Sequence, residues 1–169
     1  MGREVRKVPK NWKHPRNDRK QYIPLLDGFK ERLEEWEKGN AMWDKGFVDD
    51  FKGGWKPRNK SDDMTFEEWH GKKPLKEDYM PNFPEDQKTY YQMYETCSEG
   101  TPISPPMATP EELAKWLDNN SASAFGEQTA TYDQWLNTIR EGSAPSFYIT
   151  KEDGIISGVE AVAKFKKEI

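Results

Sequence analysis

Three helix starts in this chain use the same local device. Each has a threonine followed three residues later by Glu or Gln, with an apolar residue just before the threonine and another four positions into the helix. In such a capping box the threonine hydroxyl and the Glu or Gln side chain satisfy backbone N–H groups that the first helical turn leaves unpaired. The pattern therefore predicts three short capped helices, which begin after Thr65, Thr109 and Thr131.

A longer helix precedes them. Its large side chains recur alternately four and three residues apart, which places them on one helical face. Asp27 is its expected N-cap, and Gly39 with Asn40 weakens its middle, so one bent helix or two shorter ones both fit the pattern. The residues that share the face are Phe29, Leu33, Trp36, Asn40, Trp43 and Phe47.

Strand signals are fewer and lie mostly in the second half. Residues 90–96 are rich in aromatics, and 146–150 and 155–159 flank an Asp-Gly pair that favours a hairpin. The tail from Val159 is alternatively a short helix, and residues 3–8 alternate enough for an edge strand. We therefore predict an α+β fold with a small antiparallel sheet from about 90–96, 146–150 and 155–159, for which residues 3–8 are a candidate further strand. Residues 1–24 form an extended basic N-terminal arm, and residues 25–169 form a single compact domain.

The composition decides what kind of core such a chain can build. Charged residues make up 33% and the mean hydropathy is -1.08, values that approach those of disordered chains. However, the chain has 7 Trp, 7 Tyr and 8 Phe, and disordered chains are poor in aromatics. Because each buried ring removes about 150–250 Å² from water, a core built on large rings is the better interpretation.

The charge distribution points to a partner for the arm. Residues 1–20 carry a balance of +6, although the whole chain carries -4. A basic arm on an acidic body fits nucleic acid or an acidic protein surface, and the alternative is an arm that lies on its own body. The sequence pI of about 5.4 disfavours nucleic acid, because such domains usually exceed about 9. If the partner is nucleic acid, Trp12 is available to stack on a base. The candidate partner-binding residues are Arg3, Arg6, Lys7, Trp12 and His14.

A turn that leads to the cap at Thr109 offers a second candidate site. Its hydroxyls and backbone N–H groups resemble arrangements that hold anions or nucleotides. The alternative is a purely structural turn. The candidate residues are Ser98, Gly100, Thr101 and Ser104.

No pattern typical of catalysis or metal binding appears. The two histidines, His14 and His70, lack a helical partner, and the single cysteine, Cys97, excludes both an internal disulfide and a cysteine-based zinc site. Carboxylates on both sides of Cys97 would raise its pKa. No segment reaches the ~20 apolar residues of a membrane span. We predict no enzyme activity, no metal, no cofactor and no membrane partner.

Several segments together resemble a family of small accessory proteins from tailed phages and prophages. They are the opening Arg-Glu-Val-Arg-Lys-Val-Pro with Asn-Trp-Lys-His-Pro, the central Tyr-Gln-Met-Tyr-Glu-Thr-Cys-Ser-Glu-Gly-Thr-Pro-Ile-Ser-Pro, and Thr-Pro-Glu-Glu-Leu-Ala-Lys-Trp-Leu. The resemblance implies a phage gene product in a bacterial host cytoplasm. It supplies no activity and no residue roles.

Three functions follow as hypotheses. The first is a protein that binds a host protein and inhibits a host defence system, in the manner of an anti-CRISPR, because Trp and Tyr are favoured at interface hot spots. The second is a small-ligand or nucleotide-binding protein built around the 98–104 turn. The third is a structural part of the virion. Nothing in the sequence indicates an oligomeric state.

Overall fold

The computed structural model describes residues 2–59, 63–96 and 100–165. Within them, five α-helices and three small antiparallel sheets confirm the predicted α+β class. The chain divides into two compact units, unit 1 (residues 1–25 and 81–169) and unit 2 (residues 26–80). Residues 1–24, predicted as an arm, belong to unit 1, and residues 25–169, predicted as a single domain, are divided between the two units.

The larger sheet of unit 1 is centred on that N-terminal segment. Strand β1 (Arg3–Val8) pairs antiparallel along its whole length with β4 (Tyr90–Glu95), and the start of β1 also pairs with β5 (Ser143–Ala144). The strand predicted at 3–8 therefore forms with the same bounds, but it lies between β4 and β5 and not at an edge of the sheet. Its ends are buried, because Val8 and Arg3 are 0% and 1% exposed, which a free arm could not achieve.

Three helices cover this sheet and complete the core of unit 1. They are α3 (Pro110–Asn119), α4 (Tyr132–Glu141) and α5 (Gly158–Phe165), the last of which confirms the helical alternative for the tail. Trp135 is a fully buried ring among mostly aliphatic neighbours. Other fully buried residues of this core are Met93, Leu113, Ala114, Leu117, Ala124 and Val159.

The predicted caps of α3 and α4 form, with one difference. Thr131 makes both bonds of its capping box. Thr109 accepts from the backbone N–H of Glu112, but the Glu112 carboxylate bonds the N–H of Ala108 instead of the cap residue. A threonine therefore caps both helices, and the returning bond, from Glu112 in α3 and from Gln134 in α4, differs by one residue in its target.

The hairpin predicted around Asp153-Gly154 forms, but it does not join the larger sheet. Strands β6 (Phe147–Thr150) and β7 (Gly154–Ser157) make a separate two-stranded sheet. The sheet predicted from 90–96, 146–150 and 155–159 is wrong in this respect. At the base of the hairpin Gly158 lies so close to Pro145 that a Cβ there would stand 1.8 Å from the Pro145 carbonyl oxygen.

Unit 2 is held together by rings around Phe66. Helix α1 (Phe29–Asp44) runs unbroken through Gly39, hairpin β2 (Phe47–Asp49) and β3 (Trp55–Pro57) follows, and α2 (Phe66–His70) starts at the complete capping box of Thr65. The Phe66 ring contacts those of Trp36, Trp43, Trp69 and His70, with centroids 4.8–6.1 Å away. Helix α1 is capped by Gly28, with φ 77° and no side-chain cap bond, so the predicted Asp27 cap is wrong.

Candidate functional site

Arg3, the first predicted partner-binding residue, is buried in unit 1, where its side chain contacts several segments. Its guanidinium donates to the backbone oxygens of Ser123 (2.8 Å) and Gly2 (3.0 Å) and lies 3.5 Å from the Glu95 carboxylate. Burial lowers the pKa of Arg3, and the Glu95 charge opposes that shift. Because its side chain is only 2% exposed, Arg3 is not available to a partner.

Arg6, Trp12 and His14 converge on Tyr94, a fully buried residue of β4. Trp12 Nε1 donates to the Tyr94 hydroxyl (3.1 Å), and His14 Nδ1 lies 3.2 Å from the same oxygen. The hydroxyl also donates to Gln92 Oε1 (3.0 Å), and the Arg6 guanidinium covers the Tyr94 ring at 4.5 Å from its centroid. We call these five residues the Tyr94 cluster.

The Tyr94 cluster continues into the turn that was predicted as a ligand site. Gln92 Nε2 donates to the Ser104 carbonyl (2.7 Å), and the Ser104 hydroxyl accepts from the backbone N–H of Met93 (2.9 Å). The Thr101 hydroxyl is 3.4 Å from the Glu95 carboxylate. The structure thus brings described members of two separately predicted sets together along β4, where Gln92, Tyr94 and Glu95 link them.

Gly100 closes the same network, and Ser98 lies outside the described residues. The carbonyl of Gly100 accepts from the N–H of Leu25 (3.1 Å), and the carbonyl of Leu25 accepts from Arg6 (2.9 Å). Gly100 has φ 51°, and a Cβ there would lie 2.2 Å from the Leu25 oxygen. A glycine is therefore required by close backbone packing, which supports the structural interpretation of this turn.

The hydrogen-bond partners of His14 determine which ring nitrogen carries a proton. Its Nε2 lies 2.6 Å from the Ile23 carbonyl, an acceptor, so Nε2 carries a proton. In the neutral ring Nδ1 is then an acceptor, which competes with Gln92 Oε1 for the single Tyr94 hydroxyl proton. Burial lowers the pKa of His14, the Ile23 carbonyl opposes this shift, and the positive charges of Arg6 and Arg16 add to it.

The other cations of the predicted arm lie on an ordered exposed segment, residues 9–24, which we call the basic loop. Asn17 organises its turn by accepting from the backbone N–H groups of Arg19 and Gln21, both at 3.0 Å. Lys7, at the end of β1, is exposed and lies 5.5 Å from the centroid of the Tyr91 ring.

The β6–β7 hairpin exposes apolar side chains that the sequence analysis did not single out. The register places Ile149 (72% exposed) opposite Ile155 (55% exposed), with Phe147 (43% exposed) on the same face. Neither strand carries a charged residue. The missed signal was the run Phe-Tyr-Ile, which lacks the apolar/polar alternation of a half-buried strand. We call residues 147–157 the apolar hairpin.

The part of the chain that the structure describes contains no group of three or more His, Cys, Asp or Glu side chains placed to hold a metal ion. None of its helices combines the length and apolar character that crossing a membrane requires. His70 stacks on Phe66 with ring centroids 4.8 Å apart, whereas Cys97 lies outside the described residues.

In comparisons with known proteins, no family model matches the chain, and no curated protein or solved structure matches it either.

Proposed function

We propose that this chain is a phage accessory protein that binds a host protein through the apolar hairpin. The observation that carries the proposal is the exposure of Phe147, Ile149 and Ile155 on one uncharged face. Contiguous exposed apolar side chains are uncommon on monomeric proteins and mark interaction surfaces. Aromatic anchors on such surfaces supply much of the binding energy of protein interfaces.

Two residues of the apolar hairpin pack against rings elsewhere in unit 1, and these contacts favour one fixed conformation of the hairpin. Tyr148 packs edge-on against Phe165 of α5, with centroids 5.6 Å apart, and Phe147 contacts Phe125 at 5.2 Å. The loop is closed by Asp153, whose N–H bonds the Thr150 hydroxyl at 2.9 Å. A surface that is ordered before binding loses less conformational entropy when the complex forms.

The biological role we propose is inhibition of a host defence system in the bacterial cytoplasm. Its support is the resemblance to phage accessory proteins together with a surface suited to protein contact. The turn at 98–104 gives less support to the nucleotide-binding alternative, because Ser104 and Thr101 bond within the protein. A virion component could use the same hairpin, and mass spectrometry of purified particles separates these roles.

Affinity capture from lysates of hosts that carry defence systems tests the proposal. Wild-type protein is expected to retain one host protein in stoichiometric amount, and I149E/I155E is expected to lose it because two charges would be buried in the interface. N82E/Q87E is the matched control, since Asn82 and Gln87 are exposed and the added charge is the same. Absence of a partner, or equal capture by I149E/I155E, would contradict the proposal.

A further inference from the structure

We infer that the basic loop is a second contact surface, which binds the phosphate backbone of nucleic acid without reading its bases. Its exposed cations have no carboxylate within ion-pairing distance among the residues that the structure describes. Asp18 is the single acid between residues 9 and 24. The exposed cations are Lys10, Lys13, Arg16, Arg19 and Lys20.

The loop holds the Arg16 guanidinium and the backbone of its turn in place before any ligand arrives. Arg16 Nη1 donates to the Lys20 carbonyl (2.7 Å), and its guanidinium lies over the Tyr22 ring, 3.9 Å from the centroid. The N–H of Asn17 donates to the Gln21 carbonyl at 2.9 Å. A guanidinium that is stacked in this way keeps its outer N–H groups for a phosphate, which it can bind in bidentate fashion.

The rings of the loop face inward, which decides between nucleic acid and an acidic protein. Trp12 is engaged by Tyr94 and by Phe83, whose ring centroid is 5.0 Å away, and Tyr22 lies between Arg16 and His14. Ile23 is the one large hydrophobic residue that the loop exposes. Protein interfaces need an apolar centre, whereas cations alone suffice for phosphates, because binding releases condensed counterions.

The same orientation of the rings excludes base stacking by Trp12. Contacts to phosphate position a protein on nucleic acid and carry no direct sequence information. The loop therefore fits binding that is independent of sequence. This inference uses different residues from the apolar hairpin, so I149E/I155E should bind nucleic acid as the wild type does.

Fluorescence anisotropy with a labelled 20-nucleotide single strand and a 20-base-pair duplex tests the inference in the full chain. If four cations contact phosphates, the plot of log affinity against log salt should have a slope of about -3.6 for the duplex, and a shallower one for the single strand. The duplex affinity should then fall roughly 100-fold between 50 and 200 mM salt. No binding to either probe at 50 mM salt would overturn the inference.

A pair of charge-matched variants locates the site. K13Q/K20Q should reduce the steepness of the duplex slope by about two units, whereas K72Q/K76Q, at exposed sites of unit 2, should leave it unchanged. Equal effects of both variants would show a response to net charge alone and overturn the inference. Equal competition by polyglutamate would assign the loop to carboxylate-rich proteins and overturn it too.

Discussion

The Tyr94 hydroxyl has one proton, and Trp12, His14 and Gln92 lie within hydrogen-bond distance of its oxygen. Trp12 can only donate to it, and Gln92 presents its oxygen because its amide nitrogen is held by the Ser104 carbonyl. The hydroxyl thus ties β4 to the segment that carries Trp12 and His14. Removing it would leave several buried groups without their partner, which costs more than the bonds themselves contribute.

Tyr94→Phe should lower the free energy of unfolding by about 2–3 kcal/mol, because two or three buried polar groups lose a hydrogen bond. Urea denaturation with an unchanged m-value would measure this loss. Tyr148→Phe is the matched control: Tyr148 is 42% exposed, and a surface change of this kind should cost less than about 0.5 kcal/mol. Equal effects of the two variants would contradict the assigned role of the Tyr94 hydroxyl.

The stability of unit 1 should depend on pH through His14. Burial lowers the native pKa of His14 below the value of about 6.5 expected in the unfolded chain. The unfolded state then binds more protons, so this contribution is complete above pH 6.5 and is lost as pH falls through the native pKa. The free energies of unfolding of wild type and His14→Gln should be measured between pH 7.5 and pH 5. The two values should converge at the low end of this range. Parallel curves would contradict the prediction.

Helix α1 depends on a close contact between Gly39 and the Phe66 ring of α2. A Cβ at Gly39 would lie 2.5 Å from the Phe66 ring, so the glycine lets the helix approach α2 closely. Local propensity treats Gly39 as a weak point in a helix, whereas the packing makes it a requirement. At the helix caps, by contrast, local preference and structure agree, because Thr65 and Thr131 make the capping bonds that the sequence predicts.

Gly39→Ala should destabilise the protein by about 1–3 kcal/mol, since the overlap with Phe66 outweighs a gain of up to about 1 kcal/mol in helix propensity. Thermal or urea unfolding would measure the change. G39A/F66L should recover part of the loss, because a smaller side chain makes room for the added methyl group. A Gly39→Ala variant more stable than wild type would show that no such overlap exists.

Helix positions could be predicted from the sequence because caps and periodicity act within a few residues. The central position and the register of β1 could not, because its partner strand Tyr90–Glu95 lies far along the chain and no local signal encodes that pairing. The candidate site shows the same limit. Arg6, Trp12 and His14 were selected for charge and ring character, but their shared contact with Tyr94 arises only when distant segments meet.

At the scale of the whole molecule, unit 2 is an insertion within the sequence of unit 1. The N–H of Met80 donates to the Leu26 carbonyl at 2.8 Å, so the chain enters and leaves unit 2 at adjacent points. Unit 1 has its own aliphatic core, and unit 2 has its own cluster of rings. We therefore expect each unit to contain the contacts that its fold requires.

Replacing residues 27–79 with a four-residue Gly-Ser linker should leave unit 1 folded, since a linker of that length easily spans the gap between Leu26 and Met80. Amide NMR spectra should retain the dispersed signals of Val8 and Met93, two fully buried residues of unit 1. Collapse of those signals would show that unit 1 needs unit 2 in order to fold.

The position of β1 at the centre of its sheet has a consequence for biosynthesis. The ribosome makes residues 3–8 before unit 2, and Val8 meets Tyr90 only after unit 2 has been made. At about 5–20 residues per second, the nascent strand waits roughly 4 to 16 s for its neighbour. We therefore expect unit 2 to fold first during translation, and residues 3–8 to pair with their neighbouring strand only afterwards.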